Sequence, residues 1–196
     1  MTIRQTILKW VYPLLMKSAK GASENAILYR PAMEKPPVSF FQLMANDIWG
    51  KPFLFETLRG KKTLLVNTAS NCGYAAQLAE LQELFQKNER YLNIVGIPSN
   101  DFKNQEQLQE NQIMQFCRKN YGVTFPMLQK AHVRKESNQS ALYQWLSQPD
   151  KNGWNRQAPG WNYWKYLVDE DGALLACFPT GISSKNEKLT TFLRND

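Results

Sequence analysis

The stretch TLLVNTASNCGY, residues 63–74, decides the fold. Its first seven residues, TLLVNTA (63–69), form a short, mostly apolar run, the pattern of a buried central strand. Directly downstream, Tyr74, Leu78, Leu81 and Phe85 recur at helical spacing, which predicts a helix ending near Lys87. Cys72 lies between the two. A thiol at a strand-to-helix junction faces unpaired backbone N–H groups and the positive end of the helix dipole, and both favour the thiolate. Gly73 lets the backbone come close to whatever the sulfur attacks. A cysteine is also a common small core residue, and position alone leaves both readings open.

Outward from this unit, NIVGIP (93–98) reads as the next buried strand. Ile113, Phe116 and Tyr121 mark a second helix, closed by Gly122. Residues 141–146 suggest a third. Residues 163–168, the turn 169–172 and residues 173–178 read as a β-hairpin with a Gly-containing loop. Residues 187–194 close the chain with a short helix. This order predicts an α/β fold with a central mixed β-sheet flanked by helices, the thioredoxin-like arrangement, preceded by an N-terminal helical extension.

At 196 residues the chain is long enough for one well-packed domain plus an appendage. Its hydrophobic content of 43% is that of a globular protein. The three cysteines, Cys72, Cys117 and Cys177, are widely spaced, with no Cys-x-x-Cys and no paired metal-ligand spacing. His132 is the single histidine, too few for a metal site built on imidazoles. The reading is therefore a protein without metal or other cofactor, whose cysteines work as thiols or pack as core. Cys177, in LLACF, and His132, in AHV, read as core.

The net charge of +7 is uneven: residues 1–62 carry ten Lys/Arg and four Asp/Glu, and the rest is close to neutral. A basic patch suits nucleic acid, but here the excess accompanies apolar residues, so no nucleic-acid partner is expected. Ile3, Ile7, Trp10, Val11 and Leu14 fall at helical spacing among Arg4, Lys9, Lys17 and Lys20. The segment is too short and too charged to span a bilayer, which takes about 20 apolar residues. Lys9 and Pro13 make it a poor signal peptide. Two readings stand: a helix packed on its own domain or a frayed tail, or a helix lying on an anionic membrane surface through residues 1–20. Residues 21–25 and 31–37 read as linker, which divides the chain into an extension, 1–37, and a domain, 38–196. The protein is expected to be cytoplasmic, with membrane association under the second reading.

Four stretches, the first within the opening one, carry a resemblance. VNTASNCGY (66–74) resembles the V-N-V-A-S-x-C-G pattern of glutathione peroxidases, in which cysteine or selenocysteine holds the reactive place. GIPSNDFKNQE (96–106) is similar to their G-F-P-C-N-Q-F-G-x-Q-E. QFC (115–117) through NYGVTFP (120–126) resembles F-C-x-x-N-Y-G-V-T-F-P of the cysteine-type members. GWNYWKYLVD (160–169) resembles K-W-N-F-x-K-F-L-V-D. The matches occur in the family's order and span the chain from Val38 onward.

The resemblance implies a peroxidase acting in oxidative stress, with Cys72 as peroxidatic residue and Gln105, Trp161 and Asn162 completing a catalytic tetrad. Two amides and an indole can each donate a hydrogen bond to a thiolate. It further implies Cys117 as resolving cysteine. That reading requires its helix to unwind, because a disulfide needs Cα atoms within about 7 Å. The implied partners are a peroxide and a thioredoxin-like dithiol reductant, or glutathione. Trp154-Asn155 is a nearby pair of the same kind as Trp161-Asn162; the latter is preferred because the apolar strand and the DEDG turn follow it.

The sequence departs from the family pattern at Ser99, Asp101, Lys103 and Gln107. An inward-pointing Asp101 would oppose a thiolate, and it is expected to point outward. A peroxiredoxin motif fails at Ala69 and Leu65, and a disulfide exchanger fails at Ala75. The alternative from another class is a non-catalytic membrane-surface or partner-binding module on the same fold.

Overall fold

The computed structural model describes residues 2–31 and 35–193, the Lys20 side chain excepted. Residues 32–34 of the expected linker and Arg194 of the expected closing helix lie outside that set. In chain order the elements are α1 (Ile3–Asn25), β1 (Leu28–Tyr29), β2 (Met44–Asn46), β3 (Pro52–Leu54), β4 (Lys62–Thr68), α2 (Gln77–Asn88) and β5 (Leu92–Pro98). Then follow α3 (Glu110–Tyr121), α4 (Ala141–Ser147), α5 (Pro149–Asn152), β6 (Lys165–Val168), β7 (Leu174–Phe178) and α6 (Glu187–Thr191).

Five strands form one mixed sheet in the order β1-β7-β6-β4-β5. β4 and β5 are parallel, with Val66 opposite Gly96, and their connection runs through α2, as a parallel pair requires. The other pairings are antiparallel. Side chains alternate across β4: Leu64 and Val66 enter a core shared with α2, α3 and α6, while Leu65 enters a second core with Phe40, Phe55 and Trp145. That alternation puts a hydrophobic layer on each face of the sheet, the thioredoxin-like architecture. α3 ends where expected, at Gly122, whose φ of +67° suits a residue without Cβ.

The N-terminal region differs from the sequence reading in two respects. α1 runs through Gly21 and as far as Asn25, where a linker was expected. Tertiary packing overrides the low helix propensity there: a Cβ on Gly181 would fall 2.8 Å from that of Ala19, so helix and loop interlock. And β1 pairs with β7, Leu28 opposite Cys177, so the sheet already includes residues upstream of Val38.

α1 starts on a capping box, in which Thr2 Oγ1 accepts from Gln5 N–H at 3.2 Å and Gln5 Oε1 from Thr2 N–H at 2.8 Å. It is docked, but not by the stripe that stands out in the sequence. The inward seam consists of Gln5, Leu8, Tyr12, Leu15, Met16, Ala19 and Ser23. Ile3, Trp10 and Leu14 face solvent at 83%, 81% and 75% exposure, together with Ile7 and Val11. Tyr12 O–H donates to Glu80 Oε1 of α2 at 2.6 Å, and Asn186 Nδ2 to Glu24 at 2.9 Å. Among the described residues no helix is long and apolar enough to cross a membrane.

Candidate active site

β4 ends at Thr68, and Ser70 to Ala76 turn before α2 begins. Cys72 lies in this turn, one percent exposed. The sequence placed it at the mouth of the helix. Instead a run of short turns intervenes, with Ala75 N–H bonding Cys72 O and Gln77 N–H bonding Tyr74 O, so the helix terminus stands off from the sulfur. The groups whose N–H donors favour its ionised form are the Tyr74 and Gly73 backbone, the Asn162 side-chain amide and the Trp161 indole. Burial nevertheless outweighs them and pushes the thiol above its ordinary value. The resting site therefore holds a thiol whose ionised form has waiting donors.

Trp161 and Asn162 reach the sulfur because their loop is sewn to β4. Asn67 Nδ2 donates to Trp161 O at 3.1 Å, and its Oδ1 accepts from Trp164 N–H at 3.0 Å. Between them Tyr163 adopts φ +64°, unusual for a bulky residue, held by its N–H to Asn67 O and its O–H to Ala69 O at 2.9 Å. Lys165, wholly buried, donates to Tyr163 O at 2.8 Å. Trp161 packs on Phe102, its ring centroid 5.5 Å away.

Gln105 joins the site through Asn162, whose Nδ2 donates to Gln105 Oε1 at 3.0 Å. Asn162 Oδ1 is buried and accepts no hydrogen bond from the described residues. The Gln105 loop turns on Lys103 and Asn104, both left-handed at φ +52° and +50°. Lys103 stands where the family pattern has glycine, so this chain takes up the backbone cost that glycine avoids. Asp101 points away from the sulfur: its carboxylate accepts from Val133 and Arg134 N–H at 2.6 and 3.1 Å and meets His132 Nδ1 at 3.0 Å. His132 was expected in the core. It is exposed instead, because Asp101 gives it a polar partner at the surface.

Three residues that matter to the geometry went unassigned in the sequence. Glu106 is buried beside Gln105 and accepts from both the N–H and the O–H of Ser70 at 2.8 Å, tying the Gln105 loop to the Cys72 turn. Asn67 and Lys165 are the others. A charged residue in a polar run and a lysine in a strand read as surface; only three-dimensional placement shows them as clamps. Trp154 and Asn155, by contrast, are structural: Trp154 Nε1 donates to Leu174 O and Asn155 Nδ2 to Leu146 O.

Cys117 is buried in the C-terminal half of α3, one residue before its last turn. Its thiol is pushed up to about 12, first by burial and then by the charge of Glu106. Cys177 is buried in β7, and all three thiols are free. Among the described residues no group of three or more His, Cys, Asp or Glu is gathered as a metal site. A cleft of about 530 Å³ borders the site, lined by Ala19 and Ser23 of α1 and by Tyr74, Trp161, Trp164 and Thr180.

A buried thiol beside an indole and an amide that is bonded to a second amide, just past the end of a central strand of a thioredoxin-like sheet, defines the class: thiol-based redox proteins. Comparison with known proteins narrows it. A model of glutathione peroxidase matches residues 40–147. Glutathione peroxidase-like peroxiredoxin gpx1 of Schizosaccharomyces pombe is 44% identical over 138 residues, which cover 69% of this chain and 85% of that protein. Glutathione peroxidase homolog BsaA of Bacillus subtilis is 36% identical over 149 residues, covering 76% and 92% respectively. The fold agrees: the crystal structure of T. cruzi GPX1 has a TM-score of 0.61 at 23% identity, covering 79% of this chain and 96% of that one. The chain belongs to the glutathione peroxidase family and is a peroxidase.

Proposed function

We propose that the protein reduces hydrogen peroxide or organic hydroperoxides through Cys72. The Cys72 thiolate attacks one oxygen of the O–O bond, which breaks. The sulfur, oxidised by two electrons, becomes a sulfenic acid, and the other oxygen leaves as water or alcohol with the proton the thiol gave up. The Tyr74 and Gly73 N–H groups, the Trp161 indole and the Asn162 amide stabilise the thiolate, and Gln105 orients Asn162. The observation that carries this reading is a buried Cys72 in the turn after β4, with Trp161 and Asn162 sewn to that strand through Asn67 and Tyr163 and Asn162 bonded to Gln105.

Cys117 then attacks the sulfenic sulfur, an S–S bond forms, and the hydroxyl departs as water with the Cys117 proton. Because Cys117 sits in the C-terminal half of α3, that end of the helix has to open. A thioredoxin-like dithiol restores both thiols and is itself oxidised to a disulfide. The relatives from S. pombe and Saccharomyces cerevisiae, named as peroxiredoxins, support a protein reductant over glutathione. We place the protein in the cytoplasm, with peripheral membrane contact through residues 1–20. The test is peroxide consumption with thioredoxin or glutathione as sole reductant, run on the parent and on Cys72→Ser. Turnover with thioredoxin, abolished by the substitution in a folded protein, supports the proposal. Turnover that survives the substitution overturns it.

A further inference from the structure

α1 lies against the turn that carries Cys72, in which Cys72 itself is buried while Asn71, Gly73 and Tyr74 stay half-buried. Gln5 Nε2 reaches Ser70 O at 3.5 Å, and a Cβ on Gly73 would stand 3.0 Å from Leu15 Cδ1 and 3.8 Å from Leu8 Cδ2. Lys9 rests over the ring of Tyr121 at 5.7 Å, so the same helix also covers the end of α3, where Cys117 sits. The turn that carries the buried sulfur is therefore packed against an element outside the matched family region.

The two halves of α1 are held unequally. Beyond Pro13 the helix interlocks with Gly181, bonds Asn186 through Glu24 and continues into β1 of the central sheet. Before Pro13, among the described residues, the contacts include one long hydrogen bond, Leu8 against the Gly73 backbone, one cation over a ring and the Tyr12–Glu80 bond. The nearer aliphatic contact over Gly73, from Leu15, belongs to the second half. Proline lacks the N–H that would bond the carbonyl four residues back, so position 13 is where this helix bends most easily.

The outward face of that weaker half carries Ile3, Ile7, Trp10 and Val11, all exposed. Residues 2–23 include Arg4, Lys9, Lys17 and Lys20 and no acidic residue. A second copy docked on this face would bring two basic sets together with no counter-charge between them. An anionic lipid surface offers apolar depth to the stripe and negative charge to its flanks.

We infer that the first half of α1 is a lid over Cys72 whose outer face docks on anionic lipid, and that docking draws the lid off the site. This rests on Cys72 as the reacting thiol. The lid makes the protein an interfacial peroxidase: closed in water, open where hydroperoxides are held in a lipid surface. It also frees the end of α3 for the opening that Cys117 needs.

The test reads access to Cys72 and is independent of peroxide chemistry. The full chain is labelled with N-ethylmaleimide, with mass-spectrometric mapping of Cys72, in buffer and with vesicles containing about one-third phosphatidylserine in phosphatidylcholine. Anionic vesicles should speed Cys72 labelling about tenfold, an open fraction rising from a few percent toward one half. Phosphatidylcholine alone, or anionic vesicles at high salt, should give less than about twofold. Trp10→Ser should bring the ratio with and without vesicles close to one. Leu8→Gln, which weakens the inner contact, should speed labelling in buffer alone. Co-sedimentation without faster Cys72 labelling overturns the lid. Absence of co-sedimentation overturns the docking, and a concentration-dependent dimer lost in Trp10→Ser assigns the face to a second copy instead. Loss of peroxide turnover as the reading for Cys72 would leave these labelling ratios in place, so the two failures are distinguishable.

Discussion

Replacing Lys165 by Met should stabilise the protein at neutral pH while loosening its active site. The lysine is wholly enclosed beneath the Trp161–Tyr163 loop. Burial pushes its ammonium from 10.5 down to about 7, against the pull of Glu80. An unfolded chain holds that proton up to about pH 10.5, and the folded chain only below about pH 7. Between those limits the unfolded state binds more protons, so stability rises with pH there and is lost as pH falls toward 7. At 1.36 kcal/mol per unit the native state bears a cost of about 4 kcal/mol at pH 7, of which about 2 kcal/mol is relieved by pH 9. Met removes the cost but leaves the Tyr163 carbonyl without its donor, which takes back about 1–3 kcal/mol. The net gain is roughly 1–3 kcal/mol, a rise in Tm of about 5 °C for a chain of this size. Urea unfolding at pH 7 and pH 9 on both proteins is the measurement. Parent stability should increase across that interval, and Lys165→Met should lack the increase. A parent equally stable at both pH values, or a variant weakened by more than about 2 kcal/mol at pH 7, would refute the reasoning. Because Tyr163 sits at φ +64° next to Asn162, the variant should also react more slowly with peroxide in a single turnover.

Three further outcomes are expected. Cys117→Ser should complete one turnover and then fail to cycle with thioredoxin, whereas Cys177→Ser should behave as the parent; a mapped disulfide containing Cys177 would count against the pairing. With the Cys72 thiol raised by burial, first-turnover oxidation in vesicle-free buffer should climb about tenfold per pH unit from pH 6 to 8, as the thiolate fraction does below the pKa. A plateau within that window on a stopped-flow profile would mean that the donors, not burial, prevail. Glu106→Ala strands the Ser70 N–H and O–H in the interior, which should cost about 2–4 kcal/mol and lower the oxidation rate; an unchanged denaturation midpoint would remove Glu106 from the site's framework.

Much of the architecture was legible because its signals are local. The apolar run at 63–69 and the helical spacing from Tyr74 to Phe85 produced β4 and α2, and Gly122 closed α3 where a left-handed residue was needed. The residues around Cys72 were legible only through family resemblance: nothing in the spacing of Gln105, Trp161 and Asn162 brings them together. The structure does so through Asn67, Glu106 and Lys165, polar residues whose burial no periodicity announces. α1 misled in a different way. Its largest apolar residues define a clear stripe, yet the docked seam is a mixed one, with Gln5, Tyr12 and Ser23 among aliphatic side chains. Amphipathic pattern identifies a docking face only when the opposite face is polar, and here both faces have apolar residues.

The pairing of β1 with β7 has a consequence for the order of folding. Leu28 lies opposite Cys177, so the strand that anchors α1 has no place to go until the far end of the chain has been made and the β6–β7 hairpin has formed. During synthesis α1 precedes the other described elements and is thus the last of them to be secured, a contact of high sequence separation that closes slowly. For all that time the Trp10 face and the Leu8–Leu15 face are both open to solvent. A chain stalled or truncated before the hairpin would display the full circumference of that helix, which makes its first 25 residues the natural handle for chaperones and the first place to look when the protein aggregates.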